Sequence, residues 1–325
     1  MQMVTHTLNR RRLLGAAGLA LTGLAPWARA QDTPLRILVG FAAGGSADLS
    51  ARLLADQLRV QLGRPVLVEN RTGAAGRLAV EATKSAKPDG NTLMFVPHGP
   101  MTLFPYVYKA LRFDPFKDFT PIGRVSSFDY ALSTGPATPA KTISEYLAWA
   151  RVPGNKASFG SPGAGTVPHF IGQGFAQKAG LALTHVPYRG AAPSMVDLIG
   201  GSVSLVVSPL ADAIEHHKAG KLRVLATTGE QRTEMLTGVP TLRETGMDLT
   251  VDGWYGLYGP AGLAPELVQT LSKALDAAAL QLREPFAKST LRAAATSPAQ
   301  LQQLQRREAA LWQQLVAASG FRPED

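Results

Sequence analysis

The stretch at residues 35–52, Leu-Arg-Ile-Leu-Val-Gly-Phe-Ala-Ala-Gly-Gly-Ser-Ala-Asp-Leu-Ser-Ala-Arg, constrains the fold more than any other part of the chain. It reads as a short apolar strand that breaks at Gly44-Gly45 and resumes as a helix, with Leu49, Leu53, Leu54 and Leu58 on one face. A strand that ends in glycines and opens a helix presents backbone N–H groups at the positive end of a helix dipole, which makes an anion site. The alternation continues through the first third of the chain. Strands are expected at 35–41, 66–69 and 92–96, and helices at 46–62 and 78–85, with turns at Gly63-Arg-Pro65 and Pro88-Asp-Gly90. Strands alternating with helices imply a parallel sheet with right-handed crossovers. Ligands bind such sheets at the carboxyl ends of the strands. The loop at 41–46 and the loop Pro97-His98-Gly99-Pro100 both leave those ends.

A second α/β unit follows. Thr142-Ile-Ser-Glu145 has the form of a capping box and starts a helix through Ala150. A strand near 157–159 runs into Gly160-Ser-Pro-Gly-Ala-Gly-Thr-Val-Pro-His169 and then a helix at 170–180, so the anion-cradle pattern occurs twice. Strands near 182–186, 204–207 and 224–227 complete this unit. The tail is helical. Val268, Leu271, Leu275, Ala278 and Leu282 share one helix face, and after Ser297-Pro-Ala-Gln300 a last helix carries Leu301, Leu304, Leu311 and Leu315 along one side.

The N-terminus reads as an export signal. Asn9-Arg-Arg-Arg-Leu-Leu14 is a basic segment, residues 13–24 are apolar, and Ala28-Arg29-Ala30 fits the small-x-small cleavage rule, which places the mature start near Gln31 in the periplasm. The apolar stretch is shorter than the ~20 residues that span a bilayer. Arg10-Arg11 also matches a twin-arginine signal, and the sequence leaves that route and the general one open. The chain has no cysteine, which removes thiol catalysis, thiolate metal sites and disulfides. The net charge is +9, and Arg10, Arg11, Arg12 and Arg29 leave with the signal to give +5. The remaining basic residues are scattered, which argues against a nucleic-acid face.

Read in order, several motifs resemble the Bug family, the periplasmic solute receptors related to tripartite tricarboxylate transport systems. They are Phe41-Ala-Ala-Gly-Gly-Ser-Ala-Asp48, Val68-Glu-Asn-Arg-Thr-Gly-Ala-Ala-Gly76, Pro88-Asp-Gly90, Phe113-Asp-Pro-Phe-Lys-Asp-Phe-Thr-Pro121, Gly163-Ala-Gly-Thr166 with His169, His185-Val-Pro-Tyr-Arg-Gly190, Ala219-Gly-Lys-Leu-Arg223 and Val239-Pro-Thr241. The resemblance covers essentially the whole mature chain. It implies an α/β, two-lobed type II periplasmic binding protein fold with a hinge and two crossovers. Lobe 1 would comprise 31–131 plus 252–325, and lobe 2 would comprise 132–251. It also implies a small carboxylate between the lobes, held largely through backbone groups and bridging waters. Such ligands include dicarboxylates, amino acids and aromatic acids. The expected partner is a membrane permease or a membrane sensor, and the receptor would act as a monomer without a cofactor or metal.

Carried over position by position, the expected ligand-binding residues are Phe41, Ala42, Gly44, Gly45, Ser46, Ala47 and Asp48 in the first loop, and His98 and Gly99 in the third-strand loop. The second cradle supplies Ser161, Gly163, Ala164, Gly165, Thr166 and His169; Tyr188, Arg189 and Gly190 follow. Asp48 is equally readable as a first-turn carboxylate favourable to the helix dipole. His169 could serve structure or ligand, and Arg189 could meet a distal acid or lie on the surface. Three positions depart from the family pattern. Ser204 and Ser208 stand where Asp is frequent, with Ser208 expected to face the cleft, and His98 stands where a small polar residue is common.

Competing readings are weaker. A hydrolase would need a nucleophile elbow, and Ser161 with His169 does not form a Gly-x-Ser-x-Gly motif. His216-His217 is the only adjacent histidine pair, and neighbours on a helix point apart, which disfavours metal chelation. Neither glycine cluster completes a phosphate or dinucleotide fingerprint.

Overall fold

A computed structural model describes residues 33–318 and Phe321. The expected export signal lies outside the described residues. The first strand, β1 (Leu35–Val39), leads into α1 (Ser46–Leu62), as the opening stretch predicts. Gly63 closes α1 at φ 63°, in the left-handed region, and its N–H donates to Arg59 O. β1 pairs in parallel with β2 (Val66–Asn70) on one side and β3 (Thr92–Pro97) on the other, with α2 (Arg77–Lys84) between those strands in sequence. Leu49 departs from its expected face and is 54% exposed. The buried stripe of α1 runs through Ala47, Ala51, Leu54, Ala55 and Leu58, because small alanines let the helix approach its neighbours closely.

Two short helices, α3 (His98–Thr102) and α4 (Phe104–Val107), precede β4 (Phe119–Thr134), a strand of 16 residues. Lobe 2 contains α5 (Ile143–Ala150), β5 (Ser158–Ser161), α6 (Val167–Ala179), β6 (Thr184–Pro187), α7 (Ala191–Gly200), β7 (Leu205–Pro209), α8 (Leu210–Lys218) and β8 (Arg223–Thr227). The chain then returns through β9 (Asp252–Pro260), α9 (Pro265–Lys288), β10 (Arg292–Ala293) and α10 (Pro298–Ala318). Strand order is β2-β1-β3-β9-β4 in one sheet and β4-β7-β5-β6 in the other, with β10 and β8 also on β4. β4 therefore belongs to both. Residues 119–129 pair antiparallel with β9, and residues 130–133 with β7. The architecture is the two-lobed α/β arrangement of periplasmic binding proteins.

Local signals explain most boundaries. Thr142 Oγ1 accepts the Glu145 N–H at 3.1 Å, while the Glu145 carboxylate reaches Lys141 N–H, one residue before the expected partner. The Ser297 and Gln300 box is reciprocal. α6 starts at Val167, earlier than the expected 170, because Pro168 is tolerated in a first turn. On α10 the packed face is Leu301, Gln305, Ala309, Trp312 and Val316, whereas Leu311 and Leu315 of the expected stripe are 53% and 49% exposed. The stripe is interrupted by a buried glutamine, which a search for leucines passes over. Gln305 accepts from Tyr258 OH and donates to Met101 O and Pro115 O.

Candidate functional site

The β1–α1 loop, the start of α3, the start of α6, α7 and the β7–α8 junction converge on one cavity of about 50 Å³, room for a few waters. Its wall is mainly apolar, with Phe41, Phe104, Phe128, Tyr130 and Tyr255 around the floor. Tyr130 sits on β4 and Tyr255 on β9, so the two strands that join the lobes also build the site.

The lobes touch across this cavity. Ala42 N–H donates to Arg189 O at 3.1 Å. Tyr108 OH donates to Ala164 O at 2.6 Å. Gly165 has φ +68°, and a Cβ there would lie 2.5 Å from Tyr108 OH, so only glycine fits this approach. The third contact is a pair of hydrogen bonds to a carboxylate. Ser46, the first residue of α1, donates its N–H to Asp212 Oδ1 at 2.6 Å and its hydroxyl to Asp212 Oδ2 at 3.1 Å. Burial pushes the Asp212 carboxyl up to about 6, against the lowering effect of the two Ser46 bonds.

On lobe 1, His98 is buried behind the wall. Its Nδ1 lies 3.2 Å from Glu308 Oε2 and its Nε2 lies 2.9 Å from Tyr130 OH. A carboxylate only accepts, so Nδ1–H donates to Glu308, and in the neutral ring Nε2 then accepts from the Tyr130 hydroxyl. Trp254 Nε1–H donates to the same carboxylate at 2.8 Å. His98 thus orients a tyrosine that lines the cavity without lining it itself.

On lobe 2, the glycine-rich loop is backed by two stacked rings. His169 and His185 have centroids 3.8 Å apart at 14°. His169 Nδ1 accepts Gly165 N–H at 3.0 Å, and His185 Nε2 lies 2.8 Å from Ser161 Oγ. Burial lowers His169 to about 4, and burial with the neighbouring ring lowers His185 to about 3. Ser161 and Thr166 both donate their hydroxyls to Gly163 O.

Of the sequence-predicted residues, Phe41, Ala42, Gly45, Ser46, Ala47, Gly99 and Thr166 lie on the cavity wall. Gly44, at φ +85°, donates its N–H to Asp48. Asp48 also accepts from Arg52 and Asn70; burial opposes ionisation, but these bonds outweigh it and hold the carboxyl below its usual range. Its bonds are those of a first-turn carboxylate. Gly163, Ala164, Gly165 and Ser161 form the loop behind Thr166, and His169 supports it. Tyr188 OH donates to Asp197, Arg189 is exposed, and Gly190 N–H donates to Pro162 O. Ser208, expected to face the cleft, is buried with its hydroxyl donating to Pro209 O. Strand alternation turns it inward, and Pro209 lines the cavity instead. Asp212, Tyr130 and Tyr255 are wall residues that sequence reasoning missed. Asp212 alone left a trace, an acid in the first turn of a helix after a strand end.

His217 Nδ1 accepts Val224 N–H, a structural bond. Among the described residues, no group of three or more His, Cys, Asp or Glu is placed to hold a metal ion. No helix there is long and apolar enough to cross a membrane.

Residues 50–321 match the family model described as tripartite tricarboxylate transporter family receptor. The chain belongs to that family. It is 38% identical over 281 residues to a Cupriavidus necator protein named "UPF0065 protein in gbd 5'region", covering 83% of this chain and 85% of the relative. It is similar in structure to the periplasmic binding protein BugD, with TM-score 0.86 and 29% identity over 90% of this chain and 99% of BugD. An R. palustris protein solved with adipate is similar at TM-score 0.84 and 27% identity, over 90% of this chain and 99% of that one. The family is one of periplasmic solute-binding receptors, the class expected from the ordered motifs.

Proposed function

We propose that this protein captures a small carboxylate in the cleft between its lobes and delivers it to a tripartite tricarboxylate-type permease in the membrane. The observation that carries this reading is the convergence of two glycine-rich loops, each opening a helix, on one cavity from opposite lobes: Gly45-Ser46 before α1 and Gly165-Thr166 before α6. Helix N-termini favour anions, and bridging waters extend their reach. The adipate bound by the R. palustris neighbour supports the ligand class. We assign residues 31–131 and 252–325 to one lobe and 132–251 to the other. A ligand shifts the population toward closure through contacts that exist only when both lobes meet it. The reading places the mature protein, from Gln31, in the periplasm as a monomer without catalytic activity.

The test is a thermal-shift screen of the chain from Gln31, unfolded and refolded to strip bound ligand. The panel holds mono-, di- and tricarboxylates, aromatic acids, amino acids, phosphate and sugars. A ligand that binds only the native state raises the melting temperature. A rise with one carboxylate class is expected. A rise with phosphate or sugars alone overturns the reading.

A further inference from the structure

We propose that Asp212 is a specificity-determining residue of the cleft: it occupies the N-terminus of α1 as a resident carboxylate and selects ligands that present a hydrogen-bond donor to it in place of a second carboxylate. Suitable donors are an ammonium, a hydroxyl or an amide N–H. The inference rests on the carboxylate-capture reading above and deepens it.

The hydrogen-bond directions carry the argument. Ser46 has one hydroxyl proton, and the Asp212 carboxylate, which only accepts, takes it. The 2.9 Å contact between Ser46 Oγ and Tyr255 OH therefore has Tyr255 donating to Ser46. The Ser46 hydroxyl and the Ser46 N–H thus both point their protons toward Asp212, and Tyr255 backs the hydroxyl. A ligand carboxylate arriving here meets both Ser46 donors already taken and a like charge in an apolar cavity. Each Asp212 oxygen accepts one bond from Ser46 and keeps a second lone pair for a donor in the cavity it lines.

Among the described residues Asp212 forms no ion pair within 4.0 Å. From α1, Asp48 turns away to Arg52 and Asn70. From β9 comes the Tyr255 hydroxyl, and from β4 the Tyr130 hydroxyl, which is committed to His98. The first turn of α7, Ala191 to Ser194, carries no charged side chain. On α8 itself, Glu215 is paired with Lys218, and His216 lies one turn further on. The second cradle, at the start of α6, remains for the ligand's own carboxylate.

Isothermal titration with isosteric pairs decides the matter: succinate against succinamate, glutarate against glutaramate, adipate against adipamate. Each half-amide replaces one carboxylate oxygen with an NH₂ donor. The wild type at neutral pH is expected to prefer the half-amide by about tenfold or more, given the cost of like-charge juxtaposition. Asp212→Asn and Asp212→Ser are expected to lose that preference through a gain in diacid affinity. Titrations of the wild type in two buffers of different ionisation enthalpy add a readout that needs no variant. Diacid binding should take up close to one proton, and half-amide binding none. Diacids bound as well as half-amides, without proton uptake, overturn the assignment of Asp212 while carboxylate capture stands. A half-amide preference that persists in both folded variants does the same. No binding of any of these compounds to any of the proteins, together with a failed carboxylate screen, removes both readings.

Discussion

His169 supports the lobe 2 loop only as a neutral ring, and His185 stacks against it. His169 Nδ1 accepts a backbone N–H, so a proton on that nitrogen breaks the bond that shapes the loop. Both are lowered from 6.5, to about 4 and about 3, chiefly by burial. The unfolded chain therefore binds protons that the folded chain refuses. Stability is full above pH 6.5 and falls as pH drops toward 4, by on the order of 2–3 kcal/mol for His169. His169→Asn, which keeps an acceptor, should flatten this slope in thermal unfolding between pH 4 and 6.5. Asp212 has the opposite sign. Its carboxyl is raised from 3.8 to about 6 by burial, so its cost to the fold is present above pH 6 and is relieved as pH falls toward 3.8. Asp212→Asn should be more stable than the wild type at neutral pH, by roughly 1–3 kcal/mol in unfolding free energy, and the gap should close near pH 4. Ser46 was legible in the sequence because its glycine pair and helix are local. Asp212 was not, since its partner lies 166 residues away and an acid in a first turn is ordinary.

At the scale of elements, the loop before α6 meets lobe 1 through its backbone. Tyr108→Phe removes the hydroxyl bond to Ala164 O, worth about 1 kcal/mol. Ligand affinity should fall about fivefold, with unfolding of the separate lobes little changed. Gly165→Ala adds a methyl 2.5 Å from Tyr108 OH and strains a left-handed backbone, so it should weaken affinity more than Tyr108→Phe does. Titration of both variants with one ligand from the screen ranks them. Strand–glycine–helix units such as β1–α1 and β5–α6 could be read because their signals lie within a few residues. β4 and β9 could not. Register shifts interrupt the first between Pro121 and Gly123 and between Arg124 and Ser126, and Gly253, Gly256 and Gly259 thin the second. Their partners across the sheet, and not their own patterns, make them strands.

At the scale of the molecule, one strand serves both sheets, and Asp129 on β4 stands opposite Asp252 on β9 where the chain passes between lobes. Arg292 offsets one of these two charges with two bonds to Asp129, at 3.0 and 3.3 Å. Motion of one lobe against the other can be stopped chemically. A Cβ at position 163 would lie 3.0 Å from Ala75 Cβ, close to the 3.5–4.5 Å of a disulfide. The chain has no cysteine of its own, so Ala75→Cys with Gly163→Cys can form one bridge only. The oxidised variant should neither admit nor release ligand on the timescale of a titration, and reduction should restore both. Unhindered exchange in the oxidised form would show that ligand enters without parting the lobes.

The position of β9 has a consequence for how such a chain is made. It lies between β3 and β4 in the lobe 1 sheet, yet it is encoded after every strand of lobe 2. Until residues 252–260 emerge, β3 and β4 each expose an unpaired edge, a template for pairing with other chains. A polypeptide delivered N-terminus first, by a ribosome or through a membrane pore, cannot finish its first lobe before its second is complete. Delay in synthesis or translocation before Asp252 is thus the interval in which this protein is most open to aggregation, and a chain truncated there should need a chaperone to stay in solution.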